Sequence, residues 1–275
     1  MESQYDKLLN KPGFFNRVPN SEVKIEKEDI PKEDIAEYKN LVKLNIASGP
    51  NIFPYDGWIN YDKDDSTSYF KYLDWQNPER TIAYVLHEMP EHQQKLANYI
   101  RSGDMNRINF RVKDITSKFP EHKDNSVDLI YLGQMIEHLN PMHQTLDFLK
   151  ECNRMMKPGG VIRITTPDLD MLIKAYLNGE MDKFSNEQPE FYKHADPASQ
   201  LCLLMYGATG QNCTWTNYEG HMFLFTKISM TKVLEKAGFK DIEFYYEAGK
   251  SKHPVMQEEV VDAGLSHSFI CEAVK

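Results

Sequence analysis

Positive charge is in deficit, cysteine is sparse and long apolar runs are missing from this chain, and each shortage excludes something. The 275 residues carry 32 Lys and Arg against 41 Asp and Glu, a net charge of −9. That balance opposes phosphate-backbone binding by the molecule as a whole, so DNA, large RNA and anionic membrane surfaces are disfavoured as partners, though a local basic patch stays open. The four cysteines, Cys152, Cys202, Cys213 and Cys271, form no CxxC pair. Nothing near Met1 reads as the apolar core of a signal peptide, and no uninterrupted apolar span has membrane length. The expectation is a cytoplasmic protein with reduced thiols, each acting as a small buried hydrophobe. No internal repeat or low-complexity tract occurs. What is present is ample core material: 41% hydrophobic and 12% aromatic residues, well outside disordered composition.

Residues 1–40 are polar and charge-rich, with two KED triplets around Pro31, and read as a polar or helical arm. Residues 41–275 read as one domain with insertions about 63–107 and 180–226. Leu41, Val42, Leu44, Ile46 and Ala47 look like a buried strand, Trp58 to Asp62 a second, Ile108 to Lys113 a third, and the nearly all-apolar VDLIYLG at 127–133 a fourth. Residues 79–101 carry apolar groups at helical spacing interrupted at Pro90, which predicts a kinked helix or helix pair. Pro141 opens a helix bearing Met142, Leu146, Leu149 and Met156, which stops at Lys157, Pro158, Gly159 and Gly160. VIRIT at 161–165 is the fifth strand, and Asp168 caps a helix ending at Gly179. Another helix carries Met230, Val233, Leu234 and Ala237 with Gly238 as its stop, and IEFYYE at 242–247 and HSFICEAV at 267–274 close the chain. Alternating strands and helices predict an α/β fold with a mostly parallel sheet; the last two strands lack a clear helix between them, so one should run antiparallel.

In open α/β sheets a ligand sits beyond the carboxyl ends of the strands, which is where the turn after strand one, Ser48 to Asn51, falls. A dinucleotide fingerprint would need glycine at Ala47, Gly49 and Ile52, and Asp62 comes only 15 positions after Ala47, short of the usual ~20. The NAD reading weakens accordingly. A ligand with a ribose and an amino-acid tail but no pyrophosphate needs less, and S-adenosylmethionine has that shape. LNIASGPNIF…WINYD, RVKDI, VDLIYLGQMIEHL and MMKPGGVIRITTPD resemble the successive motifs of class I S-adenosylmethionine-dependent methyltransferases. The likeness is to the type 11 subgroup often linked to polysaccharide and glycan loci, and HMFLFTKISMTKVLEKAGF and FICEAVK extend it towards the C-terminus.

That resemblance implies a Rossmann-like, seven-stranded, mostly parallel sheet with one antiparallel strand and helices on both faces. It also implies S-adenosylmethionine as donor and S-adenosylhomocysteine as product. Ala47, Ser48 and Gly49, with Asn51 just beyond, would flank the methionine part of the cofactor. Ala47 departs from the family's first glycine, and its methyl is tolerable if φ there is negative. Asp62 would hold the ribose diol, Asp114 and Ile115 would meet the adenine, and Gln134 would line the channel to the acceptor. Solvated strand-end, turn or cap roles are the plain alternatives for these side chains.

Methyl transfer from a sulfonium is an in-line displacement in which the protein mainly aligns donor and acceptor. A hydroxyl acceptor must also lose a proton, which asks for a base or a metal. Glu137 and His138 in QMIEHL, Asp168 and His221 stand near the strand ends, and His138, His221 and Asp168 are the candidate catalytic residues. His138, Asp168, His194 and His221 could together chelate a divalent ion, but no local ligand spacing supports that, so no metal is expected. Tyr192, Tyr206, Trp215, Tyr218 and Phe223 suit stacking on a flat ligand or sugar, or plain packing. The expectation is a methyltransferase for a small acceptor, first a sugar or nucleotide-linked sugar O-methylation. Another small metabolite, or a cofactor-binding protein without turnover, is the alternative.

Overall fold

A computed structural model describes residues 38–48, 51–53, 55–62, 109–187, 195–206, 220–260, 262 and 265–275. The proposed arm at 1–40 lies almost entirely outside the described residues, as do the kinked helix at 79–101, Gly49, Tyr192, His194, Trp215 and Tyr218.

Seven strands form one sheet: β1 (Lys43–Ile46), β2 (Trp58–Asp62), β3 (Phe110–Val112), β4 (Val127–Gly133), β5 (Met156–Pro167), β6 (Lys240–Tyr245) and β7 (Ser268–Val274). Their order is β3-β2-β1-β4-β5-β7-β6. Every pairing is parallel except those of β7, which runs antiparallel to both β5 and β6. The Rossmann-like arrangement with a single reversed strand is thus the observed one, and β1 and β4, side by side, mark the point where the strand order switches direction.

The helices are α1 (Thr145–Met155), α2 (Leu169–Leu177), α3 (Pro197–Tyr206), α4 (Lys227–Ala237) and α5 (Pro254–Glu258). Strand side chains alternate between two cores. Leu44, Ile46, Ile130, Leu132, Ile162 and Ile164 face α1 and α4, which bury Leu149, Cys152, Met155, Met230 and Leu234 against them. Leu129, Tyr131 and Val161 point the other way, onto Val255 and Met256 of α5. Caps fix the helix ends, at Asp168 and Gly238 as the sequence predicts and at Thr226 without a sequence expectation. Asp168 accepts from the N–H groups of Asp170 and Met171, and Thr226 and Ser229 form a reciprocal capping box that opens α4. Gly238 closes α4 with φ of 99°, a conformation glycine adopts without strain.

Two boundaries differ from expectation. The helix expected from Pro141 begins at Thr145, because Asn140 organises a turn first: its side chain accepts from Met142 N–H (2.9 Å) and its carbonyl from Gln144 N–H (2.9 Å). Met142 is consequently 81% exposed rather than on a buried face. The helix does stop before Lys157, but β5 begins at Met156 and not at Val161: Lys157 to Gly160 form its bulged start, where Val127 pairs with Met156 and Leu129 already with Val161. Gly160 fits there because a Cβ would meet the Asp128 carbonyl at 2.8 Å.

Charged groups lie buried on the α5 side. Arg163 is fully buried and donates to Asp262 (2.8 and 2.5 Å), Glu272 (2.6 Å) and the Lys250 carbonyl (2.8 Å). Lys43 is equally buried and meets Glu259 at 2.7 Å, an oxygen shared with the Trp58 indole N–H. No helix among the described residues is long and apolar enough to cross a membrane.

Candidate active site

The carboxyl ends of β1, β2 and β4 carry most of the expected cofactor residues. Two buried asparagines shape the first turn. Asn45 Nδ2 donates to the Asn51 carbonyl (2.7 Å) and to Asn60 Oδ1 (2.9 Å), and Asn60 in turn takes the Phe53 N–H and donates to the Phe53 carbonyl. The turn is stitched to β2 by Ser48 N–H on the Tyr61 carbonyl (3.0 Å). Ser48, Asn51 and Asp62 are all buried polar residues there, on adjoining strand ends.

Ala47 has φ of 58°, so the condition under which its methyl would be harmless, a negative φ, is not met. Gln134, at the end of neighbouring β4, also sits at positive φ, 51°. Each such L-residue costs roughly 1–2 kcal/mol. Strained backbone of this kind persists where surrounding structure enforces it, and it clusters at functional sites. Gln134 is held by its N–H on the Thr165 carbonyl (2.9 Å) and by its amide on Ser268 Oγ (3.1 Å).

Beyond β3, Asp114 is exposed and its carboxylate takes the Thr116 N–H (2.9 Å) and hydroxyl (2.7 Å), a local turn, while the Ile115 side chain is buried in the main core. One oxygen of Asp114, Oδ1, thus performs the turn role weighed from sequence.

After β4 the chain makes a single 3-10 turn, Ile136–His138. Glu137 is wholly buried, and one of its oxygens accepts from Thr166 Oγ1 of β5 (2.9 Å). Burial pushes its carboxyl up to about 8. The Glu137 carbonyl accepts the N–H groups of Met222 (2.8 Å) and Phe223 (3.1 Å), and this pins His221 beside His138. The two imidazoles lie 5.0 Å apart between ring centroids, at 70°. Burial, with His138 alongside, pulls His221 down to about 4, so it is a neutral base at ordinary pH.

Asp168 is not in that group. It is 1% exposed, with one oxygen capping α2 and the other accepting from Tyr246 OH at 2.7 Å. Both oxygens thus have partners in the structure, one of them in the cap that the sequence offered as the plain alternative to a catalytic role. Sequence reasoning gave no handle on Thr166 or Tyr246, whose partners are set only by strand pairing. The adjacency of Glu137 and His138 was the visible signal for the cluster that His221 completes.

His221 also forms part of the wall of a cavity of about 570 Å³, lined by Leu169, Tyr176, Leu201, Tyr206, Phe223 and others of α2, α3 and the 220s. The wall is mainly apolar with two tyrosines. Tyr206 and Phe223 of the expected aromatic set are among its members.

Residues 71–164 match the family model described as a methyltransferase domain, a stretch running through β3, β4 and α1 into β5. The match and the sheet order support one class of enzyme: a methyltransferase that takes its methyl group from S-adenosylmethionine. No curated protein matches the sequence. Among solved structures, the chain is similar to a SAM-dependent methyltransferase from Archaeoglobus fulgidus (15% identity, 86% of this chain and 88% of that one, TM-score 0.44). It is also similar to one from Aquifex aeolicus (16%, 85% and 81%, TM-score 0.37) and to an O-methyltransferase family protein from Burkholderia thailandensis (10%, 88% and 53%, TM-score 0.45). Likeness at this level is one of outline and carries nothing about an acceptor.

Proposed function

We propose that this enzyme methylates a hydroxyl of a small acceptor, with the cofactor seated over the ends of β1 and β2 and the acceptor in the cavity that His221 helps to wall. The observation that carries the reading is that one side chain, His221, belongs both to the His138 cluster beyond β4 and to that cavity. Ser48, Gly49, Asn51 and the backbone at Ala47 would hold the aminoacyl end of S-adenosylmethionine. Asp62 would accept from the ribose hydroxyls, Asp114 and Ile115 would meet the adenine, and Gln134 would flank the path to the acceptor. Buried polar groups on adjoining strand ends suit a ligand of that mixed polarity. The cofactor supplies an already activated methyl group; the chain's own task is alignment and removal of the acceptor's proton.

For the acceptor we favour a sugar or nucleotide-linked sugar, whose ring faces stack on aromatic side chains such as Tyr176, Tyr206 and Phe223. A second reading, a small metabolite with an apolar body, is favoured by Leu169, Leu201 and Leu224 in the same wall. Calorimetry with S-adenosylhomocysteine, followed by methyl transfer from labelled cofactor to a panel of sugars, nucleotide sugars and phenolic or aliphatic alcohols, tests both. Binding without turnover on any acceptor would favour a cofactor-binding protein instead; no binding would overturn the proposal.

A further inference from the structure

Glu137, His138 and His221 come together more closely than a base and its neighbours require. Each offers one ligand atom, and these three atoms all lie within 4.8 Å of one another. His138 Nε2 is 4.0 Å from Glu137 Oε1. That oxygen is buried and has no hydrogen-bond partner among the described residues, and the same holds for His221 Nδ1. Leaving such atoms unpaired is costly, and more so where charge is involved. We propose that these three side chains form a binding site for one divalent transition-metal ion at the edge of the acceptor cavity.

The surroundings agree with that role. Glu137 Oε2 is oriented by the Thr166 hydroxyl, which leaves Oε1 aimed at the imidazoles. His221 is held through its backbone, whose N–H donates to the Tyr206 carbonyl (3.1 Å) while the next N–H, of Met222, donates to the Glu137 carbonyl (2.8 Å). Two ligands of a tetrahedral zinc at ~2.1 Å stand ~3.4 Å apart, so the 4.0 Å gap closes by a small rotation of His138, whose side chain is 33% exposed. Two imidazoles and one carboxylate suit Zn²⁺, Mn²⁺, Fe²⁺ or Co²⁺ and leave positions open; Mg²⁺, which prefers oxygen ligands, suits the set poorly.

The function of the ion rests on the reading of this enzyme as a hydroxyl methyltransferase. An acceptor hydroxyl bound at an open position becomes more acidic. Its proton passes to solvent water, an oxygen lone pair forms the new O–CH3 bond, and the C–S bonding pair returns to sulfur, leaving S-adenosylhomocysteine. His138 and His221 then serve as ligands and not as proton acceptors.

The test titrates chelator-stripped full-length protein with ZnCl2 and MgCl2 by calorimetry, and with CoCl2 by visible absorption, without cofactor or acceptor. One zinc per chain, weaker magnesium, and at least tenfold weaker zinc in Glu137→Gln and in His138→Ala are expected. Because Glu137 is buried, circular dichroism checks that its variant is folded, and the partly exposed His138 provides an independent substitution. Absence of zinc and cobalt binding, or wild-type affinity in folded variants, overturns the site. Asp62→Ala separates this proposal from the cofactor reading: it should lose S-adenosylhomocysteine and keep zinc. Zinc binding lost in Asp62→Ala as well as in the cluster variants would count against the site.

Discussion

The imidazoles of His138 and His221 meet edge to face, with ring centroids 5.0 Å apart, although one follows β4 and the other precedes α4. On the proposed reading the pair serves the acceptor and not the cofactor, whether it holds an ion or a proton. His138→Ala and His221→Ala should each lower turnover by about 10²-fold or more, with S-adenosylhomocysteine affinity within about twofold of wild type. Steady-state rates and calorimetry on the same preparations decide it, and unaltered rates in both variants would remove the pair from the chemistry.

Asp62 ends β2 beside the Ser48 turn and is almost fully buried. If its carboxylate accepts from the ribose hydroxyls, Asp62→Ala should weaken cofactor binding by about 1.5–3 kcal/mol, or roughly ten- to a hundredfold. Unchanged affinity would move the cofactor elsewhere.

Ala47 pays for a left-handed backbone that glycine adopts freely. Ala47→Gly relieves roughly 1–2 kcal/mol of strain and gives back part of it in unfolded-chain entropy, for a net gain of about 0.5–1 kcal/mol. Urea unfolding should register that gain. A variant less stable than wild type would mean the bend is not strained.

Asp168→Asn keeps an acceptor oxygen for the α2 cap and turns its NH2 towards Tyr246, whose hydroxyl oxygen can accept in place of donating. Stability should fall by no more than about 1 kcal/mol and turnover should persist. A loss of turnover by orders of magnitude in a folded variant would mark Asp168 as catalytic.

His122 gives a pH dependence of defined sign. Burial lowers its pKa below the ordinary 6.5, and its Nε2 lies 2.9 Å from Tyr61 OH. The folded state therefore resists a proton that the unfolded chain accepts. Stability is complete above the unfolded value of about 6.5 and declines as pH falls below it. Urea midpoints across that range should show a shallower decline in His122→Gln. His221 and His253, lowered by burial as well, add to that slope, while Glu137, raised to about 8, opposes it because its folded carboxyl holds a proton that the unfolded chain gives up.

Much of this was legible in the residues. VDLIYLG and WINYD became β4 and β2 with the expected ends, since runs covered on both faces stay apolar and turn residues close them. Asp168 and Gly238 announced their caps because capping depends on neighbours within a few positions. Met142 and the Lys157 to Gly160 segment misled. A competing Asn140 turn displaced one, and a bulge absorbed glycines that otherwise signal a loop into the other. The union of Glu137 with His221 was out of reach, because it depends on two backbone N–H groups from the 220s reaching one carbonyl after β4. No periodicity encodes such a pairing.

Lys43 has a last consequence, for how the chain is made. Its counter-ion, Glu259, lies 216 positions later. At about 5–20 residues per second, a ribosome delivers that carboxylate roughly 10–40 s after the ammonium emerges. Until then the Lys43 ammonium lacks that carboxylate, so closure of this side of the sheet waits for α5 to emerge, and the strands depend in the meantime on whatever shields them from one another.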